Sequence, residues 1–269
     1  MCAEGILKHC CIINRQTIYW NKSNPSDRRP ERGYIGVRLI KSQGRYTRPC
    51  VFSGESITME IETSDRSYCR VRVFLDYWNY ELLMRDEDNE FNTDWAKIGP
   101  SLAAAATNLI QSASPTEFQG LNFYGSYGPT EQGRKRNHWA TSLIGTRPGV
   151  SVHMVPRKRK KAHPKCPQCY HITKSCPECG ADMRGTEEKG VDVRMATDMI
   201  KLAWVDNYDV AVLVSSDADF VPVAEFLETR GIKVIHGAFP PKGHHLSSCC
   251  WGQIDLPKLR EEFRFRKGE

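Results

Sequence analysis

The chain has 269 residues, 40% of them apolar, and a formal net charge of +6 at pH 7. That length can bury a full core, so one domain with appendages is expected. No apolar stretch reaches the roughly 18 residues that a membrane span needs, and Gly5-Ile6-Leu7 runs too soon into Lys8 and His9 to be a secretory signal.

The N-terminal segment, residues 1–69, is basic through Arg28, Arg29, Arg32, Arg38, Lys41, Arg45 and Arg48. Asn21 to Arg32 is polar and carries two prolines, which suits loop or disorder. Ile57, Met59 and Ile61 alternate with polar residues, as a half-buried strand would, and Tyr34 to Ile40 is a second strand candidate. A solvated, partly disordered extension is the expectation here, with a nucleic-acid-binding arm as its rival.

The pattern changes at Arg70. Val71 to Leu75 is an apolar run that ends on Asp76 and Asn79. Arg85 to Asp94 reads as a charged loop. Asp94 to Ile110 reads as an alanine-rich helix with Trp95, Ile98, Leu102 and Leu109 inward, and Pro100 marks an early boundary or kink. Gly120 to Tyr127 is a short aromatic strand. Thr130 to Ile144 is a helix carrying Arg134, Lys135 and Arg136, and Val150 to Val155 is another strand. Strands alternating with helices imply βαβ units and a mainly parallel sheet.

Arg157, Lys158, Arg159, Lys160 and Lys161 follow as an unbroken basic run. Its place between a strand end and a cysteine cluster suits contact with nucleic-acid phosphates. The cluster is Cys166-Pro167-Gln168-Cys169 and Cys176-Pro177-Glu178-Cys179-Gly180. Two CxxC pairs present four thiolates for a tetrahedral structural Zn²⁺, with no open position for catalysis. A redox dithiol and an iron–sulfur cluster are the other readings. The remaining seven of the eleven cysteines are odd in number and scattered, which suits a reducing, cytoplasmic compartment better than a disulfide scaffold.

Val193, Ala196, Met199, Ile200 and Ala203 then recur at helical spacing. Asp192 lies in the first turn, where the helix N-terminus favours a carboxylate. Asp198 lies about 240° further round the helix, so Asp192 is the better site candidate and Asp198 the lesser. Val210 to Val214 reads as a strand buried on both faces. It ends on Ser215, Ser216, Asp217 and Asp219, and Val223, Phe226 and Leu227 line the helix beyond. Asp217 or Ser216 as a simple helix cap is the plain alternative. Gly231 to His236 is a further strand, Leu246 to Leu256 closes the domain, and residues 257–269 form a charged tail.

Three segments thus offer carboxylates to one edge of one sheet: Asp76, Asp192, and Asp217 with Asp219. Hard oxygen donors around a cleft suit Mg²⁺ or Mn²⁺, and such an ion offsets the repulsion among them. The chain has no phosphate-cradling Gly-rich loop with its lysine, which argues against a nucleoside triphosphatase.

Phe74-Leu75-Asp76-Tyr77-Trp78-Asn79, Lys189-Gly190-Val191-Asp192-Val193 and Ser215-Ser216-Asp217-Ala218-Asp219-Phe220-Val221-Pro222 together resemble the NYN domain, of the PIN-like superfamily of metal-dependent ribonucleases. The resemblance spans residues 70–256, and the cysteine-rich insertion at 163–183 is similar to that of bacterial LabA-like members. It implies a three-layer α/β/α fold with a mainly parallel central sheet and a small zinc-ribbon insertion. It also implies an endoribonuclease in which Asp76, Asp192 and Asp217 bind the divalent ion. Asp219 would hold a second ion or a water, and Asn79 would orient water or phosphate. Tyr77 and Ser216 stand where the family usually has glycine, and a bulky Tyr77 would narrow the cleft. RNA is the expected partner, a dimer is one expected assembly state, and no membrane is involved. A non-catalytic nucleic-acid-binding or regulatory module, built on the zinc ribbon and the basic run, is the alternative. Another phosphoryl hydrolase, acting for example on DNA flaps, is a third.

Overall fold

The computed structural model describes residues 68–267. The expected basic extension, apart from Tyr68 and Cys69, therefore lies outside the described residues. Strands β1 (Cys69–Asp76), β2 (Thr116–Tyr127), β3 (Val150–Pro156), β6 (Val210–Val214), β7 (Lys233–Ala238) and β8 (Gly252–Asp255) form one six-stranded sheet. Its spatial order is β3-β2-β1-β6-β7-β8, and every neighbouring pair is parallel. The remaining strands, β4 (Lys158–Arg159) and β5 (Thr186–Glu187), are two-residue antiparallel partners at the base of the cysteine-bearing insertion.

The apolar strands divide between two cores because successive side chains point to opposite faces. Val71, Val73, Leu75, Val210, Val212 and Val214 face one layer, while Phe74, Ala211 and Leu213 face the other. The first layer contains α1 (Tyr77–Glu87), α2 (Ile98–Ile110) and the segment from Leu256 to Phe263. It also takes the π-helical turn Ala140–Ile144 that continues α3 (Glu131–Trp139). The second layer contains α4 (Val191–Trp204), α5 (Val221–Thr229) and α6 (His244–Cys249). The result is the expected three-layer α/β/α sandwich, with a central sheet that is parallel throughout. Among the described residues no helix is long and apolar enough to cross a membrane.

Two local features hold β1 in register. Its first turn of chain is anchored by Arg70, whose Nη2 lies 3.0 Å from carboxylate oxygens of both Asp206 and Asp209, just ahead of β6. The β1–β2 ladder slips between Val71 and Arg72, opposite Gly120. Gly120 has φ +135°, and a Cβ there would lie 2.5 Å from the Gly149 carbonyl oxygen. Only glycine fits that irregularity without moving backbone.

Several sequence expectations change. The charged loop Arg85–Asp94 begins later than expected, because α1 runs directly from Asp76 to Glu87. Its buried face is only Tyr77, Tyr80 and Met84, too sparse a stripe among polar neighbours to stand out. α2 starts at Ile98, and Leu109, expected inward, is exposed at the helix end. Phe226 and Val193 also point outward, and α4 buries Val191, Met195, Asp198 and Met199 instead. A helix with two apolar stripes does not reveal by period alone which one is covered.

The charged tail expected at 257–269 is anchored rather than free. Phe263 is fully buried, in edge contact with Phe91, and its carbonyl accepts from Asp94 N–H at 2.8 Å. Arg264 reaches Asp88 at 2.6 Å. One aromatic among charges carries little periodic signal, yet burying it outweighs many solvated neighbours. Replacing it, Phe263→Ala, is expected to cost about 3–5 kcal/mol through the cavity it leaves. Urea unfolding should show a lower midpoint at unchanged slope, and an unchanged midpoint would mean the segment does not belong to the core.

Candidate functional site

The sheet order reverses direction of growth between β1 and β6: the chain moves outward through β2 and β3, then restarts on the other side of β1. Connections leave to opposite faces there, and a crevice opens beyond the C-terminal strand ends. The residues at those two ends are Asp76 and Ser215-Ser216-Asp217.

Asp76 closes β1 and caps α1. Its Oδ1 accepts from Asn79 N–H at 3.3 Å, and its Oδ2 accepts from the Ser215 hydroxyl at 3.3 Å. Ser215 Oγ also accepts from Asp217 N–H at 3.2 Å, so one hydroxyl ties the two strand ends together. Asp217 Oδ1 caps the short 3-10 turn Ala218–Phe220 by accepting from Asp219 N–H at 3.0 Å. Asp217 does act as a cap, the plain alternative, as Asp76 does for α1, and both also stand at the crevice. Asn79 differs from expectation: its Oδ1 accepts from Ser216 N–H at 2.9 Å. That oxygen is committed to holding the second strand end, which leaves the side-chain NH₂ as its donor for a ligand.

Behind the turn stands His236 on β7, fully buried. Burial lowers its pKa, which favours the neutral ring. Neutral His236 donates from Nε2 to the Ser215 carbonyl at 2.7 Å and accepts at Nδ1 from the Ser247 hydroxyl at 2.7 Å. Gly243 lies against the same turn: a Cβ there would come within 3.0 Å of Ser216 Cα and of the His236 ring. The absence of a side chain at Gly243 thus leaves room for Ser216. Its own Oγ is buried without a hydrogen-bond partner.

Asp192 enters from the first turn of α4, which opens at Gly190 with φ +90°. Burial raises its pKa, and the charges of Asp217, Glu188 and Asp219 raise it further. Asp76 is raised to about 6, mainly by burial, with added repulsion from Asp192 and Glu188. Of the four aspartates expected from sequence, Asp192 therefore lies within electrostatic reach of the other three. Glu188 joins them and was not foreseen, because it sat in a charged lead-in with no strand or helix to place it. Asp198 is elsewhere: it is buried, accepts from Arg194 Nε at 2.7 Å and the Tyr124 hydroxyl at 3.2 Å, and has His153 at 3.8 Å.

Mutual repulsion and a raised carboxyl are the features a hard cation with its waters would relieve. The fit is one of donor chemistry. Among the described residues no group of three or more His, Cys, Asp or Glu side chains is arranged to hold a metal ion.

The same holds for the cysteines. Cys166 meets Cys169, and Cys176 meets Cys179, with backbone amides of each CxxC directed at the first sulfur and lowering its pKa. Neither pair is a disulfide. The two halves repeat. Lys165 bridges Ile172 as Ser175 bridges Asp182, and Tyr170 (φ +58°) occupies the left-handed position that Gly180 (φ +70°) takes ten residues later. Each half is a knuckle formed in itself, and the four thiols are not gathered into one shell.

The basic run divides. Arg157 pairs with Glu188 at 2.9 Å and with the Ser126 hydroxyl at 2.9 Å, and Ser126 in turn bonds Glu188. Arg159 contacts Asp182 at 3.5 Å. Lys158, Lys160 and Lys161 are exposed. Tyr77 does not narrow the crevice as expected. It is buried among Phe123, Trp95 and Trp139, with its ring centroid 5.0 Å from that of Phe123.

Comparison with protein families matches residues 70–256 to the NYN domain. Comparison with curated proteins found no match. Among solved structures, a protein of unknown function from Vibrio parahaemolyticus is 18% identical, with 73% of this chain and 96% of that one covered and a TM-score of 0.45. A structure described as the basis for the mechanism and regulation of Sir2 enzymes is 14% identical, with 72% and 91% covered and a TM-score of 0.29.

The raised carboxyl of Asp76 has a consequence for stability. Its folded pKa of about 6 lies above the ordinary carboxylate value, so the folded state holds this proton more tightly. The stabilisation is complete below about pH 4 and is lost as pH rises through about 6, a total of about 2–3 kcal/mol. Asp192 shifts in the same direction. Urea unfolding of EDTA-treated protein should therefore show stability falling over that window, with a shallower fall in Asp76→Asn. Equal slopes for the two proteins would remove Asp76 as the titrating group.

Proposed function

The chain belongs to the NYN domain family and has its PIN-like nuclease fold, and on that premise we propose that it is a divalent-metal-dependent ribonuclease that cleaves RNA at the acidic strand ends. The observation that carries the proposal is the meeting of Asp76 and Asp217 through Ser215, which lies 139 residues after Asp76 in the chain, within reach of the charge of Asp192.

Asp76, Asp192 and Asp217 would hold Mg²⁺ or Mn²⁺, with Asp219 serving a second ion or its water shell. A bound ion would supply an activated water and offset charge on the phosphodiester. The chain's own groups do the rest. Ser215 fixes the orientation of Asp76 and positions the Asp217 amide. Asn79 keeps the Ser216 turn closed and retains an NH₂ to donate to water or phosphate. His236 holds the Ser215 carbonyl from behind, and so keeps the turn from relaxing under carboxylate repulsion. Glu188 adds a fifth carboxylate whose charge is shared with Arg157. Lys158, Lys160 and Lys161 would draw in the nucleic-acid backbone. Cys166, Cys169, Cys176 and Cys179 would hold a structural Zn²⁺, for which the two preformed knuckles and the amide-directed sulfurs are the support.

Labelled single-stranded RNA incubated with Mn²⁺ or Mg²⁺ is expected to be cut by the wild type. Activity should be lost with EDTA and reduced at least about 100-fold in Asp217→Asn, the scale of removing an electrostatic group from a site. Cleavage that survives the substitution would place the site elsewhere. RNA bound by both proteins but cut by neither would favour a binding module.

Elemental analysis should find about one zinc per chain. Cys176→Ser with Cys179→Ser should release it and loosen residues 163–183 to proteolysis. Iron, or no metal in protein purified without chelator, would overturn the zinc assignment.

A further inference from the structure

An acidic cluster repels the polyanion it is meant to cut, so a nuclease needs cations fixed close to the carboxylates. Most cations around this site are already engaged. Arg157 is shared with Glu188 at 2.9 Å, Lys189 with Glu187 at 3.2 Å, and Arg194 with Asp198 at 2.7 Å. On α3, Lys135 pairs with Glu131 at 2.8 Å and Arg134 turns back to the Pro129 carbonyl at 3.1 Å.

Arg136 is different. Its guanidinium carbon lies 4.5 Å from the centre of the Trp78 indole, and the Tyr77 hydroxyl also interacts with it. Among the described residues no carboxylate pairs with it. The indole is itself fixed, because Trp78 Nε1–H donates to the Ser126 carbonyl near the end of β2 at 2.8 Å. Trp78 and Tyr77 stand directly between Asp76 and Asn79, in the first turn of α1. The two aromatic residues that interrupt the acidic motif thus form the seat of an uncompensated cation next to it. A guanidinium packed on an aromatic face and holding one hydroxyl still has further N–H groups with which to meet a phosphate.

We propose that Arg136, seated on Trp78, is a positioning residue that binds a phosphate of the nucleic-acid strand beside the bond to be cut. The proposal rests on the nuclease reading above, and it gives α3 a part in holding substrate. It also assigns a role to Tyr77 and Trp78 that the acidic residues alone leave without one.

The test uses the full chain. Binding of a fluorescein-labelled single-stranded RNA is measured over a salt series in the Asp217→Asn background, alone and with Arg136→Ala, Arg136→Lys or Arg134→Ala. Arg134→Ala makes the same charge change on the same helix, away from the indole. The expected result is binding weakened on the order of tenfold by Arg136→Ala, with the salt slope reduced by about 0.7, the value of one single-strand phosphate contact. Arg136→Lys should restore part of the affinity, and Arg134→Ala should leave it near the parent. In the active protein, Arg136→Ala should raise KM more than it lowers kcat.

Equal weakening by Arg134→Ala and Arg136→Ala would overturn the proposal, since net charge alone would then account for it. No weakening by Arg136→Ala would overturn it as well. Either result, with the wild type still cutting RNA, leaves the nuclease reading in place. A wild type that binds RNA through Arg136 but cuts nothing sustains this contact and removes the nuclease reading. A wild type that neither binds nor cuts removes both.

Discussion

Val71 to Leu75 of β1 pair in parallel with Val210 to Val214 of β6, and the site depends on that pairing. Parallel strands deliver their C-terminal ends to the same edge of the sheet, so Asp76 and the Ser215–Asp217 turn arrive side by side. Arg70 with Asp206 and Asp209 pins the far end of the same pair. A one-residue slip would exchange the faces of every side chain on β1. It would also carry Asp76 away from the Ser215 hydroxyl. The valine-rich runs and the arginine anchor therefore serve register as much as stability.

Bringing carboxylates together has an electrostatic cost, and much of the local structure answers it. Ser215 and two backbone amides donate to Asp76 and Asp217, and Asn79 and His236 brace the turn between them. Arg157 shares the charge of Glu188. What remains is a raised carboxyl on Asp76 and on Asp192.

The insertion between β3 and α4 is joined to this site through its stem. β4 and β5 pair at its base, Arg157 precedes β4 and Glu188 follows β5. The two CxxC knuckles beyond the stem repeat a single ten-residue unit, with a tyrosine in one copy adopting the backbone that glycine takes in the other. A left-handed tyrosine is unfavourable by itself. The closed turn, with Tyr170 N–H donating to the Cys166 carbonyl at 3.0 Å, holds it there.

Much of this protein is legible in its sequence, for reasons that are local. Apolar β-branched runs declare β1, β3, β6 and β7, and alternation with helices declares a parallel sheet. Aspartates placed just after such runs declare a strand-end site, and the CxxC pairs declare a cysteine-bearing insertion, though not that it is built as two separate knuckles. The length of β2 was less legible, because Thr116 to Gln119 lack the apolar character of its buried half. The helix α1 was hidden behind the acidic motif it begins in. What only the tertiary structure decided are choices between partners far apart in the chain. Arg157 turned to Glu188 and left phosphate binding to other cations. Asn79 gave its oxygen to Ser216. Tyr77 went into the core while Trp78 became a seat for Arg136. Phe263 was buried from within a charged tail. Periodicity within a segment encodes which face of an element is covered. The group that meets a side chain across the crevice is set by which strands are neighbours and where each ends, and the sheet fixes that only once it has formed.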